Sequence, residues 1–100
     1  MLSIIVTTQT QPGQRDAVHA AWQQHLQPRL EGNEAQVFYL WLDDPHDADR
    51  FMLCEVYANA EAFQANAAAP WFAAYMAEVG PLLAGEPEVV MGPPRFTKGV

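Results

Sequence analysis

"RFMLCEVYANAEAFQANAAAPWF", residues 50–72, changes its periodicity near Asn59. Before that point the residues are apolar, branched or aromatic, the composition of a strand with both faces covered. Alternation puts Phe51, Leu53, Glu55 and Tyr57 on one face and Met52, Cys54 and Val56 on the other. After it the chain is rich in alanine and helical by propensity, with Asn59 suited to cap the helix. Pro70 disfavours helical geometry at Ala69 and can itself open a new helix. The stretch thus predicts a strand over 50–57, a helix over 59–69 and a second helical piece over 70–85. Phe72, Tyr75, Met76, Val79 and Leu83 stripe that second piece, and Gly80-Pro81 kinks or ends it.

Outward from there, the other elements follow. "LSIIVTTQT" (2–10) is β-branched and stops at "QPG" (11–13), a strand and a turn. Val18, Ala21, Trp22, His25, Leu26 and Leu30 then recur at helical spacing, giving an amphipathic helix of about four turns from residue 13. Pro28 ends or kinks it. "EGNEA" (31–35) is a turn, "QVFYLWL" (36–42) a strand and "DDPHDAD" (43–49) a polar hairpin loop. "PEVVMGPPRF" (87–96) gives a last strand, followed by a loose tail.

The order β-α-β-β-α-β is the split βαβ, ferredoxin-like arrangement of the α+β class, an antiparallel sheet with helices on one face. Both faces of the second and third strands are apolar, yet two helices cover only one. A second copy of the chain is the simplest cover, so a homodimer is expected.

Composition narrows the function classes. One hundred residues, half of them hydrophobic, fit a single domain over 1–100. The net charge is −7, and Arg15, Arg29, Arg50, Arg95 and Lys98 are scattered, so nucleic acid and anionic membrane surfaces are poor partners. Cys54 has no second cysteine to pair with. The N-terminus lacks the basic and apolar regions of a signal peptide, and no stretch reaches the length of a membrane span; a cytoplasmic location is expected. No P-loop, dinucleotide fingerprint, G-x-S-x-G elbow or Cys-x-x-Cys is present, and His19, His25 and Glu55 do not make a metal motif, no pair of them having a recognised ligand spacing.

Taken together, the strand ending in "QPG", the "EGNEAQVFYLWLDDP" segment and "RFMLCEVYANAEAFQANAAAPWFAAYMAEVGPLLAGEPEV" resemble the antibiotic biosynthesis monooxygenase domain, which includes quinol monooxygenases. The similarity runs from about Ile4 to Val90. The resemblance implies a dimeric α+β barrel of two face-to-face sheets, with a hydrophobic pocket in each copy between sheet and helices. It also implies oxygenation of a phenol, quinol or polyketide-like ring by O₂, with no metal, flavin or other cofactor. Some relatives degrade haem and others handle autoinducer metabolites. Many relatives carry histidine where Asn66 and Trp71 stand, and here no histidine follows His46, which weighs against haem degradation. The polyketide-tailoring branch has Asn, Trp and sometimes Tyr around its pocket, the types found at Asn66, Trp71 and Tyr75.

Such chemistry needs an apolar pocket with a few convergent polar groups. Trp71 and Tyr75 are four residues apart, and each pairs an aromatic ring with one donor. With Asn66 they are candidates to orient the ring and stabilise its oxyanion; packing in the core or at a dimer interface is the other use for them. The proton acceptor is His25, one turn after Trp22, or Glu55, the carboxylate in an apolar strand. Trp22, Phe38, Trp41, Phe72 and Met76 are candidate walls. On the second strand Tyr39 and Trp41 share one face and Phe38 and Leu40 the other, and the pattern leaves open which face meets the cavity. His19 and His46 are expected in solvent. A dimeric binder of a hydrophobic metabolite, without turnover, is the alternative from a different class.

Overall fold

The computed structural model describes residues 1–100. The chain runs β1 (Leu2–Gln9), α1 (Arg15–His25), α2 (Gln27–Glu31), β2 (Gln36–Asp43), β3 (Arg50–Tyr57), α3 (Ala60–Ala67), α4 (Pro70–Val79) and β4 (Glu88–Gly92). The strands form one antiparallel sheet in the order β2-β3-β1-β4. This is the ferredoxin-like α+β arrangement expected from the element order. Val18, Ala21, Trp22 and Leu26, Phe51 of β3, and Tyr75 and Val79 of α4 form the buried core between helices and sheet. Trp41 stacks flat on Phe51, with ring centroids 4.0 Å apart.

Local chemistry sets the element ends. Gly13 lies at φ 78°, a left-handed turn conformation that glycine adopts without strain. Its N–H donates to Asp49 Oδ1 at 2.8 Å, tying this turn to the β2–β3 loop. Arg15, at the start of α1, donates to the carbonyls of Asp44, Asp47 and Arg50 and lies 3.5 Å from Asp43. Asn59 caps α3, its side chain accepting from the Ala62 N–H at 2.9 Å. Ala69 is extended (φ −72°, ψ 142°) before Pro70, so α3 and α4 are separate helices.

The breaks expected at Pro28 and at Gly80-Pro81 are present, and the last strand is shorter than expected. The first helix divides at Leu26 into α1 and the short α2, because Pro28 cannot continue the hydrogen-bond ladder and sits instead in the first turn of α2. The helical piece expected over 70–85 ends at Gly80-Pro81, one of the two outcomes expected there: α4 stops at Val79, a 3₁₀ turn covers Gly80–Leu82, and Leu83 is extended and bridges to Thr10. The last strand ends at Gly92, since Pro93 and Pro94 have no N–H to offer a ladder. The residues after it form no helix or strand, and Phe96 is 83 % exposed. Pro94, Phe96, Thr97, Lys98 and Val100 border a pocket at the outer face of the sheet with Ser3, Phe38, Cys54 and Val56.

One irregularity bears on the site. In β2, Gln36 pairs with Tyr57 but Phe38 already pairs with Val56, leaving Val37 as a bulge. The extra residue shifts the alternation, so Gln36 joins Tyr39 and Trp41 on the helix side while Phe38, Leu40 and Leu42 face outward. The outer face stays largely bare: Ile5 is 53 % exposed, Leu40 45 %, Leu42 47 % and Val90 72 %.

Candidate functional site

Between the sheet and α1–α4 lies a cavity of about 370 Å³, the size range of small-molecule sites. The floor is Ile4, Val6 and Thr8 of β1, Tyr39 of β2, and Phe51, Leu53, Glu55 and Tyr57 of β3. Helical walls come from Leu26, Leu30, Phe63, Trp71, Phe72, Tyr75 and Met76, among others. Eighteen of the 23 lining residues are hydrophobic. Glu55 is the one carboxylate among them, and no Lys, Arg or His lines the cavity.

A chain of amides and a phenol ends on that carboxylate. Asn33 Nδ2 donates to Asn66 Oδ1 (3.4 Å), and Asn66 Nδ2 donates both to Gln36 Oε1 (3.3 Å) and to Tyr57 Oη (3.1 Å). Gln36 Nε2 and Tyr57 O–H then both donate to Glu55 Oε1, at 3.0 and 3.2 Å. The donors run one way, toward the acid. Oε2 receives no hydrogen bond from the protein, and Glu55 lines the cavity.

Burial dominates the electrostatics. Desolvation raises the Glu55 pKa above the usual 4.5, against the pull of the hydrogen bonds from Tyr57 and Gln36. Desolvation, and then the charge on Glu55, push Tyr75 up to about 12 and raise Tyr39 and Tyr57 further. All three phenols are therefore neutral at physiological pH and can donate hydrogen bonds.

Of the residues singled out in the sequence, Glu55, Asn66, Trp71, Phe72, Tyr75 and Met76 meet around this cavity. The others lie elsewhere. His25 is absent from the lining; its Nε2 sits 3.2 Å from Glu78 Oε1 near the surface. Trp22 is a core residue whose indole N–H donates to Tyr39 Oη at 3.0 Å. Trp41 lies behind Phe51, its indole N–H donating to Asp43 Oδ1 at 2.7 Å. Phe38 is on the opposite face, because the strand's alternation beyond the bulge turns it outward. His19 is not simply solvated: it stacks on Trp22 with centroids 5.5 Å apart and meets the edge of Trp41 at 4.9 Å.

Sequence reasoning did not single out Tyr57, Gln36, Asn33 or Phe63. Tyr57 carried a signal, since it shares the strand face of Glu55 two residues away. Gln36 carried a misleading one, because strict alternation groups it with Phe38; only the bulge brings it to Glu55. No group of three or more His, Cys, Asp or Glu side chains is placed to share a metal ion. No helix is long and apolar enough to cross a membrane.

Comparison with known proteins is consistent with this geometry. Solved structures with the same fold include a candidate antibiotic biosynthesis monooxygenase from Chloroflexus aurantiacus, 26 % identical, covering 98 % of this chain and 96 % of its own, with a TM-score of 0.82. A candidate antibiotic biosynthesis monooxygenase from Nitrosomonas europaea is 17 % identical over 96 % of this chain and 100 % of its own, at a TM-score of 0.85. A Mycobacterium tuberculosis protein is 20 % identical over 99 % and 98 %, at 0.83. Identities this low in the last two speak for the fold alone. Among curated proteins, none matches the sequence. The family model for antibiotic biosynthesis monooxygenases matches residues 1–78, and the chain belongs to that family.

Proposed function

We propose that this protein is a cofactor-independent monooxygenase acting on an aromatic phenol, quinol or polyketide-like ring with O₂. The observation that carries the reading is a single, half-buried carboxylate at the end of a one-way chain of donors, in a ring-sized apolar cavity. Glu55 takes the proton, through Oε2, because His25 does not line the cavity. Trp71, Phe72 and Met76 hold the ring, and the neutral Tyr75 phenol and the Trp71 indole N–H are donors for the oxygen that becomes anionic. Asn66 orients Tyr57 and Gln36, and through them the acid. The activated ring anion gives one electron to O₂, and the resulting radical and superoxide combine to a peroxide. Loss of water leaves one oxygen atom on the ring as a carbonyl and the other in water, so the reaction balances without an outside reductant.

The functional unit in this reading is a homodimer joined through the bare outer faces of two sheets, which closes two open sheets into one barrel. Purified protein given menadiol or an anthrone under O₂ is expected to form product faster than the uncatalysed control. A rate equal to the control across a panel of quinols and phenols sinks the oxygenase and leaves the dimeric binder.

A further inference from the structure

The oxygen and nitrogen of an amide are alike in shape, so only its partners decide which way the group faces. Three amides and a phenol make up the chain that ends on Glu55, and each amide turned over would fill the same space. One contact removes the ambiguity. The Ala35 backbone N–H, which can only donate, lies 3.1 Å from Asn33 Oδ1. Asn33 must therefore turn its Nδ2 toward Asn66, whose Oδ1 accepts it at 3.4 Å. That leaves Asn66 with Nδ2 on its inner side, where it donates to Gln36 Oε1 and Tyr57 Oη. Gln36, its oxygen engaged, turns Nε2 to Glu55. Tyr57, its oxygen accepting, directs its single O–H to the same carboxylate oxygen.

The residue at the head of this chain is held on both sides. The Asn33 backbone N–H donates to the Leu30 carbonyl at 3.1 Å, and the Asn33 carbonyl accepts from the Gln36 N–H at 3.2 Å. The Ala35 carbonyl accepts from the Ala58 N–H at 2.7 Å, which fastens the turn to the end of β3. Asn33 itself does not line the cavity. We infer that Asn33, in the turn before β2, is a positioning residue whose one donor sets the direction of every hydrogen bond in the chain and so aims Gln36 and Tyr57 at Glu55. Its bearing on turnover rests on the oxygenase reading; its effect on Glu55 does not.

Asn33→Asp isolates that donor. The carboxylate keeps the shape and the acceptor for Ala35 but has nothing to give Asn66. Facing a carboxylate, the Asn66 amide turns over and donates outward, so its oxygen points inward. The Tyr57 O–H and Gln36 Nε2 then go to that oxygen, and Glu55 loses both donors. Each of those bonds lowers the Glu55 pKa, so their loss raises it. The other titratable groups lining the cavity are Tyr39 of β2, Tyr57 of β3 and Tyr75 of α4; β1, β4 and the remaining helices contribute none.

The readout is the ¹³C carboxyl titration of Glu55 in glutamate-labelled protein, its signal identified by loss in Glu55→Gln. In Asn33→Asp the midpoint is expected to rise by about one pH unit or more. A residue that merely holds the turn would lower the melting temperature and leave this midpoint in place. Asn33→Ala removes the donor without adding charge and is expected to raise the midpoint by less; it carries the test if Asn33→Asp does not fold. The field of the new carboxylate is separated by repeating Asn33→Asp in an Asn66→Ala background, where the rise is expected to vanish. A midpoint unmoved in the folded variants, or a rise of the same size without Asn66, would overturn the inference. Turnover under O₂ is read separately: a moved midpoint without turnover sinks the oxygenase only, and turnover with an unmoved midpoint sinks this inference only.

Discussion

In the proposed oxygenase Glu55 is the base, and its environment gives it two measurable consequences. A base must be ionised to work, and desolvation raises this carboxyl above its usual range. The kcat/KM of a quinol substrate is accordingly expected to fall on the acid side with an apparent pKa above that of an ordinary glutamate. Glu55→Gln should lower kcat/KM by about 10²- to 10⁴-fold, the usual worth of a positioned base. Stability moves the other way. A carboxyl whose folded-state pKa is raised binds its proton more tightly in the fold, so the ionised form costs stability above the folded pKa. That cost fades as pH falls from the folded value toward the unfolded one near 4.5. Thermal melts should therefore show Glu55→Gln more stable than wild type at pH 7, with the gain gone near pH 4. A gain that persists at low pH would mean that packing, not charge, is responsible.

Elements place the site by their ends and irregularities. The bulge at Val37 delivers Gln36 to Glu55, and the break at Ala69 and Pro70 lets α3 carry Asn66 while α4 carries Trp71 and Tyr75. The cap on α3 supports this arrangement from a distance. Asn59→Ala removes the acceptor for the Ala62 N–H and should cost about 1 kcal/mol in denaturant unfolding. Gly13→Ala tests backbone strain alone, because a methyl group there meets no atom within 4 Å. The expected loss is about 1 kcal/mol, the cost of holding an L-residue in the left-handed region. Strand and helix identities were legible because apolar periodicity persists over whole elements. Pro28 and Gly80-Pro81 marked where the helices break, but the form of each break, a short α2 and a 3₁₀ turn at Gly80–Leu82, depends on local hydrogen bonds that periodicity does not encode.

At the scale of the whole molecule, the helix-covered face holds the core and the cavity, while the outer face leaves Ile5, Leu40, Leu42 and Val90 in contact with water. Apolar side chains so grouped on one face belong against a partner, and two such sheets can cover each other. Leu40 stands opposite Cys54 on the outer face. If a second copy covers it, Leu40→Glu introduces like charges into the interface. Sedimentation equilibrium should then find a dimer for the wild type and a monomer for the variant. A wild type that stays monomeric at high concentration would rule the barrel out.

By itself the sequence determined the class of fold, the strand faces on either side of Glu55, and the grouping of Asn66, Trp71 and Tyr75 around one break. Each of these follows from short-range spacing, which steric preference and apolar patterning enforce along the chain. Only the tertiary structure decided which acid–base candidate reaches the cavity. His25 and Glu55 lie on different elements, and packing sends one to Glu78 near the surface and sets the other against Gln36 and Tyr57 in the cavity lining. The same holds for Phe38 and Trp41. A single inserted residue reverses which side of a strand faces the helices, and no local propensity marks where that residue falls.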